Sequence, residues 1–222
     1  MESDGRFVAN EAHYKKYAYE VLESHFENRE EFECFYDSLN KPSTKDEFLR
    51  VTAFYRFLVK KGDWHVGDWH FKDKGVERKG GTVIDYITNS FKVIALFAII
   101  ESLLSVRRQP RRDAKQRCVR FFSNLPSNRK EALCHAIKID RKPLESIEEV
   151  VDFLYNLRSE FVHEARFVLE LISGPHPVFS KRKKREAREE SVSEVRLSIN
   201  ELMEAFEEGI LKYFNREISK GK

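Results

Sequence analysis

From Asn10 to Asn40 the chain runs without a glycine or a proline, and its apolar residues Tyr14, Tyr17, Ala18, Val21, Leu22 and Phe26 recur at helical steps. Such spacing gathers side chains on one face of a helix. The signature is repeated downstream. Lys41-Pro42 ends the first stretch, and Thr44 with Glu47 forms a T-x-x-E pair suited to cap a second helix. That helix carries Phe48, Val51, Phe54, Tyr55 and Leu58 to Lys61, and Gly62 stops it. Residues 63–81 lose the pattern and regain turn formers, which predicts a loop or small hairpin.

Thr82 opens a long helix through Ser105, and shorter helices are expected over about 111–123 and 128–138. Ser146 with Glu149 begins another, running to about Ile172 before Gly174, Pro175 and Pro177. The basic stretch 180–190 reads as an exposed connection. Ser198 with Glu201 caps a last helix bearing Leu202, Ala205, Phe206, Ile210 and Phe214. The expected fold is therefore all-α: a helical bundle with an additional N-terminal helical pair (1–62) on the same core, and a short irregular or hairpin insertion at about 63–81.

Composition supports that class. The chain has 222 residues, 41% of them hydrophobic, and nine Gly and six Pro are too few for a turn-rich β fold. Eighteen Phe against two Met predict a core filled by rings. The longest apolar run, Val93–Ile100, is too short to span a bilayer, so no membrane is expected. Met1-Glu2-Ser3-Asp4 lacks a basic and apolar leader, which points to the cytoplasm. Cys34, Cys118 and Cys134 form no CxxC pair and are expected as reduced, packed thiols.

The net charge of +3 is unevenly placed: residues 63–125 carry 12 basic and 7 acidic side chains, whereas residues 1–62 carry 10 and 12. Two clusters dominate. One is Arg107, Arg108, Arg111, Arg112, Lys115, Arg117 and Arg120; the other is Lys181, Arg182, Lys183, Lys184 and Arg185. Either could neutralise phosphates of a nucleic acid, or simply form solvated faces. Asp-Trp-His occurs twice in Asp63–His70. Trp64 and Trp69 there suit stacking on unpaired bases or pinning a loop onto the bundle; the ligand count is too small to specify a metal.

The most informative segment is Tyr155–Arg166, within the helix that Ser146 opens. Arg158 stands beside the apolar positions Leu154 and Phe161, Ser159 and His163 share a face, and Arg158 and His163 are about 140° apart. Arginine offers a fixed cationic fork and histidine a group that titrates near neutrality. On the earlier helix Glu101 interrupts the stripe Ile94, Phe97, Leu104, where a carboxylate needs a partner. Two readings stay open at this point: an Arg158–Glu101 salt bridge with a packed His163, or a phosphate-handling site.

Leu157-Arg158-Ser159-Glu160-Phe161-Val162-His163 resembles the R-x(4–6)-H signature of HEPN domains, and its wording is most similar to the ApeA-like branch. Ile99–Leu104 is similar to that branch's Glu-bearing helix and Arg196–Leu202 to its capped final helix, so the resemblance covers about residues 82–217. It implies a HEPN-like bundle and a metal-independent endoribonuclease without cofactor, acting as a homodimer in defence, stress response or toxin activity. By the resemblance, His163 handles protons, Arg158 and Ser159 hold the scissile phosphate, and Glu101 orients Arg158. RNA is the implied partner, with a partner or antitoxin protein as a further candidate. The rival is an inactive helical module that binds nucleotide, nucleic acid or protein.

Overall fold

The computed structural model describes residues 5–61, 70–73, 76–79, 81–105, 114–164, 178–183 and 190–219. The chain is mostly helical, as the periodicity predicts. Its contacts divide it into two units. The first holds Met1–Gly62, Ala95–Pro126 and Met203–Lys222; the second holds Asp63–Ile94 and Ser127–Leu202.

In the first unit α1 (Glu11–Leu22) packs on α3 (Pro42–Tyr55). The sequence predicts one unbroken helix over 10–40, but the structure interrupts it. A 3-10 turn at Glu23–His25 and an extended Phe26 separate α1 from α2 (Arg29–Asp37). The physical reason is local: Asn28 is an N-cap whose side chain accepts the Glu31 N–H at 2.9 Å. The bend also drops Phe26 against Phe32 and Phe35, with ring centroids 5.4 and 5.6 Å away.

The Thr44–Glu47 box does not form. Pro42 occupies the first helical turn, so α3 begins ahead of Thr44, whose N–H bonds to Lys41 O at 2.9 Å, and Glu47 is buried. Asp46, also buried, accepts the N–H groups of Phe7 and Val8 and ties the N-terminus to α3. After Tyr55 the helix widens into a π turn over Arg56–Lys60, closed by Lys61 N–H to Arg56 O at 2.8 Å. Phe54, which the sequence places in the apolar stripe, is 43% exposed.

The core of this unit is aromatic, as eighteen Phe predict. Phe48 meets Phe214 edge-on at 5.1 Å, Tyr55 lies 4.9 Å from Phe206, and Phe121 lies 5.7 Å from Phe206. Phe214 and Phe206 come from α8 (Ile199–Ser219), Phe121 from α5 (Ala114–Ser123). Gly209 of α8 is required by this packing, since a Cβ there would stand 2.5 Å from the Phe121 ring. Two thiols are packed, Cys118 and Cys134; Cys34 is exposed, against expectation, because it falls on the outer face of α2.

The long helix α4 (Gly81–Ser105) runs from the second unit into the first, and Glu101 lies in its first-unit part. Ahead of it β1 (His70–Asp73) and β2 (Val76–Lys79) form an antiparallel hairpin within the predicted insertion. In the second unit α6 (Ser127–Ala136) is followed by β3 (Ile137–Ile139) and β4 (Lys142–Pro143), and then by α7 (Ile147–Glu164). Strands β5 (Val178–Lys183) and β6 (Glu190–Val195) complete a four-stranded antiparallel sheet ordered β4-β3-β6-β5.

This sheet corrects the reading of 180–190 as an exposed connection and of 137–138 as helix. Two features lock it. Asp140 and Arg141 both adopt positive φ, the backbone of a tight two-residue hairpin turn. Asp140 then pairs with β6, its carboxylate accepting Val192 N–H at 2.9 Å while its own N–H reaches Val192 O at 2.8 Å. Both serine caps form where the sequence puts them, Ser198 with Glu201 as a reciprocal box, whereas the Glu149 carboxylate accepts the Glu145 N–H at 2.8 Å rather than that of Ser146. Glu149 N–H bonds to Ser146 Oγ at 3.3 Å; Ser198 and Glu201 bond reciprocally, at 2.7 and 3.2 Å.

Candidate functional site

Helix α7 buries Val150, Val151, Leu154 and Leu157. Counting 100° per residue, Arg158 falls on this same stripe, beyond Leu154 and Leu157. It is half-buried, with its guanidinium carbon 5.3 Å from the Tyr155 ring centroid, a cation–π distance. The side chain thus extends the core as far as its buried Nε, with the guanidinium set over the Tyr155 ring.

The other face of α7 builds a cleft of about 440 Å³. Glu149, Asp152, Phe153 and Asn156 line it from the helix, Ser191 and Ser193 from β6, and Lys142 to Glu145 from the turn into α7. Ser159 is half-buried and lies three residues after Asn156; position 163 lies seven after it. Both positions therefore continue the cleft-lining stripe, about 140° from Arg158 in the case of 163. In a single copy the helix directs its arginine and its histidine position to different sides.

Of the remaining expected site residues, Lys181, Arg182 and Lys183 lie on β5, an edge strand of the sheet. Lys115 is half-buried on α5 of the first unit. Glu101 is half-buried in the first unit, whereas Arg158 is in the second. Trp64, Trp69, Arg107, Arg108, Arg111, Arg112, Lys184 and Arg185 lie outside the described residues, and so does the side chain of His163. Among the described residues no three His, Cys, Asp or Glu side chains are grouped as a metal set.

A second polar constellation, absent from the sequence reading, sits in the first unit. The Glu207 carboxylate of α8 is 2% exposed and takes three donors. Tyr55 Oη lies 2.5 Å and Lys60 Nζ 2.8 Å from Oε1, and His25 Nε2 lies 3.0 Å from Oε2. Burial pushes the Glu207 carboxyl upward, but the bonds from His25, Lys60 and Tyr55 outweigh it and hold the group below its ordinary value. Burial, then the Glu207 charge, push the Tyr55 hydroxyl well up, so it stays a donor. The available signal was a carboxylate in the stripe Met203, Glu207, Ile210, Phe214, the same kind of interruption that singles out Glu101.

Comparison with known proteins returns no match: no family model, curated protein or solved structure matches this chain.

Proposed function

We propose that the chain cleaves RNA through α7, as the resemblance of Leu157–His163 to the HEPN signature implies, in a homodimer that brings two copies of the helix together. The observation that carries this reading is Arg158 at the margin of the core. A guanidinium half-buried and set over Tyr155 is held in place, which suits a phosphate ligand. Ser159 adjoins Arg158 on α7, and the cationic residues 181–183 lie on an edge strand of the same unit.

In this reading the ribose 2′-oxygen bonds to phosphorus as the P–O5′ bond breaks. The products are a 2′,3′-cyclic phosphate and a 5′-hydroxyl, and the His163 imidazole carries the proton from the 2′-hydroxyl towards the leaving 5′-oxygen. Arg158 and Ser159 stabilise charge on the phosphate. Two copies would supply together what one helix holds on separate faces, and a defence, stress or toxin role belongs to the same proposal. The test is cleavage of mixed RNAs by the full chain in chelator. His163→Ala and Arg158→Ala are each expected to slow it by roughly 100-fold or more; undiminished cleavage by both rejects these roles.

One observation favours a second reading, a non-catalytic binding module. Arg158 continues a stripe whose other members are fully packed. If that is its whole role, Arg158→Ala lowers the melting temperature and leaves RNA integrity unchanged.

A further inference from the structure

Aromatic rings collect on the surface of the first unit. Phe7 lies 4.7 Å from Tyr14 and 6.2 Å from Phe54, centroid to centroid. Tyr14 lies 6.2 Å from Tyr17, and Tyr17 is 4.4 Å from His13 and 5.4 Å from Phe57. None of the six is buried; Phe54 and Phe57 are 43% and 49% exposed. Large rings kept this wet in one contiguous strip mark an interaction surface.

The charges around the strip say what it fits. Arg56 lies among the rings, its guanidinium carbon 4.0 Å from the Tyr17 centroid and 5.3 Å from that of Phe57. Arg56 and Lys61 share a single carboxylate, Glu20. Lys60 pairs inward with buried Glu207, and exposed Lys16 lies one helical turn before Glu20. Four cations thus border the rings against three carboxylates: Glu20, and the buried Glu207 and Asp46, the last of which holds the Phe7 and Val8 N–H groups. An apolar protein face would cover the rings but strip water from exposed Lys16 and from the two cations that share Glu20, without compensation. A polyanion that also offers flat π faces answers both features.

We propose that this strip is a stacking platform for single-stranded RNA, with unpaired bases on Phe54, Phe57 and the neighbouring rings, and phosphates near Lys16, Arg56 and Lys61. The inference rests on the RNA reading for its polymer but not on cleavage by α7. Duplexes are excluded from the platform because their base faces are already stacked.

The experiment measures fluorescence anisotropy of labelled oligouridylate with the full-length His163→Ala chain, which keeps the RNA intact, at low salt. Adding Phe54→Ala or Phe57→Ala is expected to weaken binding roughly tenfold each, with only a small fall in melting temperature because the rings are 43% and 49% exposed. An abasic ribose-phosphate oligomer and a duplex are expected to bind weakly and to be indifferent to both changes. The proposal is overturned if the double ring variant binds oligouridylate as the parent does, or if the abasic oligomer binds equally well. It is also overturned if ring removal changes the oligomeric state while leaving RNA affinity intact, which would make the strip a protein interface. Ring-dependent binding without any cleavage by the wild-type chain would uphold the platform and remove the α7 reading alone.

Discussion

Glu207→Ala removes the acceptor for three donors at once, and the structure sets the size of the loss. Tyr55 is fully buried and its hydroxyl would be left without a partner, a cost of about 1–3 kcal/mol. Breaking a buried ion pair by deleting one partner typically costs about 3–5 kcal/mol. Here the Lys60 side chain is 37% exposed and can swing to water, so its share is discounted. His25, at 19%, regains less. The expected total is about 3 kcal/mol, or a fall of about 6–12 °C in melting temperature for a chain of this size.

Urea unfolding followed by far-UV circular dichroism measures it. The second arm adds Tyr55→Phe to Glu207→Ala, which deletes the orphaned hydroxyl and should return about 1 kcal/mol. A loss below about 0.5 kcal/mol for Glu207→Ala would show that the attraction merely offsets desolvation. Acid supplies an independent check. Because the folded carboxyl sits below its ordinary value, its contribution is present above that value, about 4.3, and is lost as pH falls through the folded value. Wild-type stability should therefore drop below pH ~4, and the drop should be shallower in Glu207→Gln.

Two other outcomes are expected. Gly209→Ala should destabilise by about 1–3 kcal/mol in the same urea assay, since a methyl 2.5 Å from the Phe121 ring overpacks the core and outweighs the ~1 kcal/mol gain in helix propensity; a net gain would mean that the ring moves aside freely. A disulfide-exchange reagent at pH 8 should titrate one thiol quickly, Cys34. Cys118 is buried, and the Cys134 thiol is pushed up by burial and then by Glu149, Glu148 and Glu131; three fast thiols in the native protein would contradict this packing.

The helices were legible where two signals agree. At 146–149 and 198–201 a cap precedes an apolar stripe, and both serine caps form. At 44–47 the same letters failed because Pro42 starts the helix earlier and Glu47 turns inward. The helix break at 23–28 is marked only by Asn28, whose cap role competes with an otherwise continuous pattern. Strands β5 and β6 were hidden for a physical reason: β6 buries Ser193 and exposes Val192, so hydrophobic alternation misreports which side is inside. Of the candidate site, periodicity read from the residues alone put Arg158 beside the core and Ser159 with position 163 on another face. The β6 wall of the cleft needed long-range pairing that no local pattern encodes.

The wide turn at Arg56–Lys60 has a consequence for how this chain tolerates changes in length. A π turn accommodates one surplus residue relative to an α ladder, and here it forms the final turn that follows α3, ending at Lys61. Deleting Phe57 should let the backbone close to an ordinary α ladder, with Lys60 still reaching Glu207. The outer, ring-bearing surface can therefore gain or lose a side chain without disturbing the ionic lock beneath it. A length variant at this spot is a way to alter what the protein touches while sparing how it is held together.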